Sequence, residues 1–228
     1  MNRLELKNIP LYNYWNGEYL CHAAQPVIDG TVLGDHINTA FKECDSENLD
    51  YDCKLLALTF SPGLESKYCD RFMKWLLTEK SDAVIPILLC DGDTDFTCLV
   101  ITAKVRTENY SIFWDEIGIV KNSFDFQDPQ FGILHTDSYS DEDWEKYSDI
   151  AFESPDSPIL KSWYLHNYQE EMFRRLKNGY FPFLQNSENI KVICRPKWQF
   201  DRTAYKKMLS FYSYANAIDA YEDMLPKL

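Results

Sequence analysis

Positive charge is scarce over the first two-thirds of this chain. Residues 1–155 hold 12 Lys/Arg against 28 Asp/Glu, net −16, in a protein of 228 residues with a total of −13. Residues 156–228 hold 11 against 8, net +3. A nucleic-acid binder neutralises phosphates with a basic face, and the acidic part offers none. Long apolar runs are missing too. None approaches the ~18 residues needed to cross a bilayer, so no membrane partner is expected. The stretch Met1 to Lys7 has neither the apolar centre nor the small-residue cleavage site of a secretion signal, which makes the cytoplasm the expected location. The seven cysteines (Cys21, Cys44, Cys53, Cys69, Cys90, Cys98, Cys194) are odd in number and irregularly spaced, and no Cys-x-x-Cys occurs. They read as small buried hydrophobes in a reducing compartment.

Catalytic signatures are equally sparse. There is no Gly-x-Ser-x-Gly elbow and no glycine-rich phosphate loop. None of the four histidines (His22, His36, His135, His166) lies three to five residues from another, so a structural zinc site is not expected and no cofactor is implied. The sharpest enzyme-like signal is Asp91-Gly92-Asp93 after an apolar run. Two acids one residue apart can hold a divalent cation against phosphate oxygens, as in metal-dependent transferases and phosphatases. That alternative meets three obstacles. The fifth position is Asp95 where phosphatases of the haloacid-dehalogenase type carry Thr. A calcium loop would need Gly in place of Phe96 and Glu in place of Thr102. The segment that follows reads as a strand rather than a mobile flap. A hairpin turn whose acids bond their own backbone is the simpler reading.

Acids and aromatics are what the chain does have. Between Asp115 and Asp156, twelve acids face only Lys121 and Lys146, and Phe124, Phe126, Phe131, Tyr139, Trp144, Tyr147 and Phe152 are interleaved with them. Like charges repel, so such a cluster is kept at some cost in stability. Capturing a basic protein partner is one use for it, and solubility alone is the plain alternative. Tyr and Trp ringed by charge are frequent binding anchors. The candidate partner-binding residues are Asp128, Asp137, Tyr139, Asp141, Glu142, Asp143, Trp144, Glu145 and Tyr147.

The elements follow from periodicity and punctuation. Pro10 to Tyr19 alternates aromatic and polar residues around Asn16-Gly17, which predicts two short strands and a tight turn. Thr31–Glu43 places Leu33, Ile37, Ala40 and Phe41 on one helical face. Lys54–Phe60 reads as a strand, and Ser61-Pro62 as the start of a helix with Leu64, Tyr68, Phe72, Trp75 and Leu76 inward. Ala83–Cys90, Phe96–Arg106 and Tyr110–Val120 form three strands joined by short turns at 91–95 and 107–109, hence an antiparallel meander. Pro86 suits an edge or a strand start rather than a central position. Asp141–Asp149 is a short helix capped by Ser140 with Asp143 three residues on. Ser157-Pro158 opens a longer helix with Leu160, Tyr164, Tyr168, Met172 and Leu176 in a stripe, closed by Asn178-Gly179. Ile190–Cys194 is a strand, and Asp201 caps a last helix with Tyr205, Met208, Leu209 and Tyr212 inward. The expected fold class is α+β, a central antiparallel β-meander with helices packed on it and a mostly helical C-terminal third. The composition shift near residue 156 marks a candidate subdomain boundary, and one domain over 1–228 is the simpler reading.

The run Ile85-Pro86-Ile87-Leu88-Leu89-Cys90-Asp91-Gly92-Asp93-Thr94-Asp95-Phe96-Thr97-Cys98-Leu99-Val100-Ile101, followed by Phe113-Trp114-Asp115-Glu116-Ile117-Gly118, resembles part of a bacterial immunity protein from polymorphic-toxin or contact-dependent inhibition systems. What that resemblance implies is an acidic cytoplasmic protein that is not an enzyme. It would bind one cognate toxin domain, often a nuclease, and cover its active site.

Overall fold

The structure is a computed structural model; it describes residues 1–12, 19–43, 53, 57–58, 67–89, 96, 98–122, 124, 136, 139–154 and 156–207. Two antiparallel sheets form the frame. In the first, β1 (Leu4–Tyr12), β2 (Tyr19–Ile28) and β3 (Thr31–Val32) pair in that order. The register runs from Leu4 opposite Ile28 to Tyr12 opposite Tyr19. The two short strands expected around Asn16-Gly17 are therefore the end of a longer ribbon, and that turn lies outside the described residues. β2 passes into β3 through Asp29-Gly30, both at positive φ (50° and 87°), a turn whose twist matches that of the strands it joins. The Asp29 carboxylate accepts from Asn2 Nδ2 at 2.6 Å and from the Arg3 backbone N–H at 2.7 Å. These two bonds hold its pKa below the ordinary aspartate range.

The second sheet runs β4 (Ala57–Leu58), β5 (Asp82–Leu89), β6 (Val100–Glu108), β7 (Ser111–Val120) and β8 (Ile190–Cys194), all neighbours antiparallel. The final strand, β9 (Trp198–Asp201), shares an edge of β7 with β8: it pairs with residues 111–114 while β8 pairs with 117–120. The expected β5–β7 meander is present. Its second turn centres on Asn109, whose φ of 49° suits Asn better than most residues. The acidic turn at 91–95 lies outside the described residues. Among the described residues β4 reaches only Leu88 and Leu89, and none pairs with Pro86 on that edge, where its missing N–H is tolerated. Just beside it the Gln185 side chain closes the backbone of Val84: Val84 N–H donates to Oε1 at 2.9 Å, and Nε2 donates to Val84 C=O at 3.0 Å.

Among the described residues five α-helices complete the α+β fold: α1 (Leu33–Glu43), α2 (Lys67–Glu79), α3 (Asp141–Ala151), α4 (Pro158–Arg175) and α5 (Phe181–Gln185). Residues 202–207 open a sixth, capped by Asp201, whose Oδ1 accepts from Ala204 N–H at 2.9 Å. Tyr205 is inward as expected and receives the Trp114 indole N–H at 3.3 Å. Met208, Leu209 and Tyr212 lie outside the described residues, as does the Ser61-Pro62 start proposed for α2. One cluster of buried apolar side chains runs from Ile28 to Tyr205 and joins α1, α2, the larger sheet and the end of α4. Phe72 of α2 sits at its centre with no exposed surface, in ring contact with Trp75, Phe96 and Tyr180. Among the cysteines, Cys53 and Cys69 are buried as expected, while Cys98 is exposed.

The helix expected to end at Asn178-Gly179 does not end there. α4 passes through a wide π-helical turn, Leu176–Tyr180, directly into α5. Two physical reasons account for this. Apolar residues spaced strictly by four drift about 40° per step around a 3.6-residue helix, so the stripe would leave the core. A π turn absorbs one residue and returns Tyr180 and Leu184 to the interior, where both are fully buried. Pro182 would clash with the carbonyl four residues earlier in a regular helix, and widening the preceding turn relieves that clash.

A candidate docking face on the acidic helix

The start of α3 is set by a reciprocal cap. Ser140 Oγ accepts from Asp143 N–H at 3.2 Å, and Asp143 Oδ2 accepts from Ser140 N–H at 3.0 Å. Asp141, Glu142 and Asp143 then occupy the first turn, at the positive end of the helix dipole. α4 begins in a related way, with Ser157 Oγ accepting from Ile159 N–H at 3.2 Å ahead of Pro158. The two helices meet at a small second core. Leu160 and Tyr164 are buried there, and Ile150, Ala151 and Trp163 pack on them. Tyr147 joins this seam, 7 % exposed and edge-on to Trp163 at 5.3 Å.

Beneath α3 lies a buried ionic cluster. Glu171 has 1 % of its surface exposed and accepts from Arg174 Nε at 2.9 Å, Arg174 Nη2 at 2.6 Å and Arg175 Nε at 2.7 Å. Arg175 is fully buried and also donates to the Tyr164 hydroxyl at 3.4 Å. Burial is the main force pushing the Tyr164 phenol up to about 12. The Arg174 guanidinium lies 4.1 Å over the Tyr139 ring. The Tyr139 hydroxyl is buried and has no hydrogen-bond partner among the described residues. Burial first, then the negative charge of Glu171, raises its pKa.

A cleft of about 410 Å³ opens between α2, the first turn of α3 and the end of α4. Its charges balance: Arg71, Lys146, Arg174 and Lys177 face Glu142, Asp143, Glu170 and Glu171. The other side of α3 is unbalanced. Asp141, Glu145 and Asp149 follow one another at steps of four, all exposed, with Trp144 (37 % exposed) and Phe152 (83 %) beside them. The two rings touch, with centroids 6.1 Å apart.

This geometry sorts the residues selected from sequence. Asp128 and Asp137 lie outside the described residues. Asp143 is engaged as the cap. Tyr147 is buried because the helical period turns it toward α4, and Tyr139, just ahead of the cap, lies under Arg174, so both hold α3 to its own protein rather than standing open. Glu142 points to the balanced cleft. Asp141, Trp144 and Glu145 share the open face. Sequence reasoning missed Asp149 and Phe152, although the four-residue step from Asp141 through Glu145 reaches Asp149, and Phe152 lies two turns beyond Trp144.

Other features are less open. A second concavity of about 260 Å³ sits on the larger sheet, where Arg106 pairs with Asp115 at 2.8 Å and Arg195 with Glu116 at 3.0 Å. His36 donates from Nε2 to Ile28 C=O at 3.1 Å and packs on Trp198, while His166 on α4 is exposed and bonds its own helix backbone. Among the described residues no three His, Cys, Asp or Glu side chains converge as a metal site, and Asp91 and Asp93 are not among those residues. No described helix is long and apolar enough to cross a membrane. No protein-family model, no curated protein and no solved structure matches this chain.

Proposed function

We propose that this protein is an acidic binding protein of the immunity type, which resides in the cytoplasm, performs no catalysis and neutralises a basic cognate toxin domain by covering its active site. The observation that carries this reading is the outer face of α3, where Asp141, Glu145 and Asp149 stand exposed beside Trp144 and Phe152 with no basic side chain among them on that stripe. A nuclease toxin keeps a positive cleft for phosphate, and an acidic helix face presents the matching potential. Such complementarity raises association rates to about 10⁸ M⁻¹s⁻¹ at low salt. Aromatic anchors at the centre of the contact then slow dissociation.

The test is a kinetic binding series against a basic nuclease toxin domain, captured from the native host as this protein's partner, run from low to high salt. Replacing Asp141→Asn, Glu145→Gln and Asp149→Asn together is expected to slow association at least tenfold at low salt and to flatten the salt dependence. Asp143 is left intact in this variant, since its loss would unwind the first turn and confuse folding with docking. An unchanged association rate would remove α3 as the docking face.

A further inference from the structure

Among the described residues three guanidinium groups are held by one device, an aromatic face beneath and a carboxylate alongside. Arg71 lies 3.9 Å over Phe173 and pairs with Glu170. Arg106 lies 4.3 Å over Phe113 and donates to Asp115 at 2.8 Å. Arg174 lies 4.1 Å over Tyr139 and donates to Glu171 at 2.9 Å. In the first case a single helix supplies both parts: Glu170 and Phe173 stand three residues apart on α4 and receive Arg71 from α2. Residues three apart on a helix are surface neighbours, so the pair acts as one seat.

α3 carries the same acid–aromatic step twice, at Asp141-x-x-Trp144 and at Asp149-x-x-Phe152. Both acids and both rings are exposed. Among the described residues no arginine or lysine lies over either ring, and neither carboxylate forms a salt bridge. We infer that this face seats arginine side chains of a protein partner, docked as Arg71 is docked on α4. The inference rests on the binding face proposed above and adds which cation that face selects. A guanidinium is planar, weakly hydrated and able to stack on a ring while donating sideways to a carboxylate. A lysine ammonium is a compact, strongly hydrated charge and gains less from the rings. Ring centroids 6.1 Å apart at an interplanar angle of 31° leave no room for a group between them, so the guanidinium lies across their outward faces.

The experiment uses end-blocked hexa-arginine and hexa-lysine peptides, equal in charge, titrated against the full chain. Affinity is read by calorimetry and location by the indole N–H signal of Trp144, assigned with Trp144→Phe. Hexa-arginine is expected to shift that signal and to bind about two- to fivefold tighter than hexa-lysine, the range of an exposed cation–π contact. The preference should vanish in the Trp144→Ala/Phe152→Ala double variant, whose changed side chains are both exposed, and persist in Tyr110→Ala, which alters an exposed aromatic on the β6–β7 turn. Equal affinities, or an unmoved Trp144 signal, would overturn the arginine inference. The proposed face survives that result if both peptides still bind in a salt-dependent way that the Asp141, Glu145 and Asp149 variant abolishes. If that variant changes neither affinity, the inference and the face fall together.

Discussion

Three donor bonds converge on the buried carboxylate of Glu171, which makes its removal a sharp test of this fold. Glu171→Gln leaves one acceptor oxygen where two served Arg174 Nε (2.9 Å), Arg174 Nη2 (2.6 Å) and Arg175 Nε (2.7 Å). It also turns an amide N–H₂ toward two guanidiniums that are 5 % and 0 % exposed. Breaking a buried pair by removing one partner costs about 3–5 kcal/mol, because the charge left behind is desolvated and uncompensated. Domains of ordinary stability have about 5–15 kcal/mol in hand, so the loss is a large share of the whole. With a urea m-value of about 3 kcal/mol/M, the unfolding midpoint should fall by about 1–1.7 M. The assay is urea unfolding followed by far-UV circular dichroism and by tryptophan fluorescence. A fall under about 0.3 M, equivalent to about 1 kcal/mol, would refute the claim that Glu171 neutralises this cluster. Glu171→Met with Arg175→Met should recover part of what Glu171→Met alone loses, since apolar replacement of both partners removes the uncompensated charge.

Two further outcomes follow from close packing and from titration. Gly118 has no room for a side chain: a Cβ there would stand 2.5 Å from Ile190 Cγ2 and 3.2 Å from both the Lys191 carbonyl and Thr102 Oγ1. Gly118→Ala should therefore push β8 off β7 and destabilise by about 1–3 kcal/mol, a drop of roughly 3–10 °C in Tm by calorimetry, and an unchanged Tm would refute it. Burial pushes the phenols of Tyr164 and Tyr205 up to about 12. Groups whose folded pKa is raised give stability that is intact below the unfolded value, about 10, and is lost as pH rises toward 12. Absorbance at 295 nm should show these two ionising only together with alkaline unfolding, and early ionisation in Tyr164→Phe/Tyr205→Phe should look the same as in the parent protein.

How far the sequence could be read depended on whether the signal was local. Ser140 with Asp143, and Ser157 ahead of Pro158, mark helix starts because a cap is completed within three residues. The β5–β7 meander was visible because its turns are short and its runs apolar. Asn178-Gly179 misled for the opposite reason. It is a sound local stop signal, overridden by burial of Leu176, Tyr180 and Leu184, with partners distant in sequence such as Phe72 and Phe96 against Tyr180. The sharing of one β7 edge by β8 and β9 depends on pairing between strands roughly 70 to 90 residues apart and leaves no local trace. In the candidate site, charge density pointed to α3, the helix whose outer acids stand exposed. It could not separate the cap (Asp143) and the seam residue (Tyr147) from the open stripe, since that division depends on where α4 lies. The Glu171–Arg174–Arg175 cluster was invisible, because three ionisable residues on one helix ordinarily signal a solvated face.

The Gln185 clasp has a consequence for how copies of this chain behave in a crowd. β5 is apolar over most of its length, and among the described residues β4 covers only Leu88 and Leu89 of its outer row of peptide groups. One amide side chain occupies the donor and acceptor of Val84 at the middle of that row, and Pro86 removes the next donor. Strand-by-strand self-association is thereby blocked without a covering helix, and the block depends on α5 holding its rotation about its own axis. A single-residue deletion within the π turn would rotate α5 by about 100°, withdraw Gln185 from the edge and favour strand-by-strand pairing between copies.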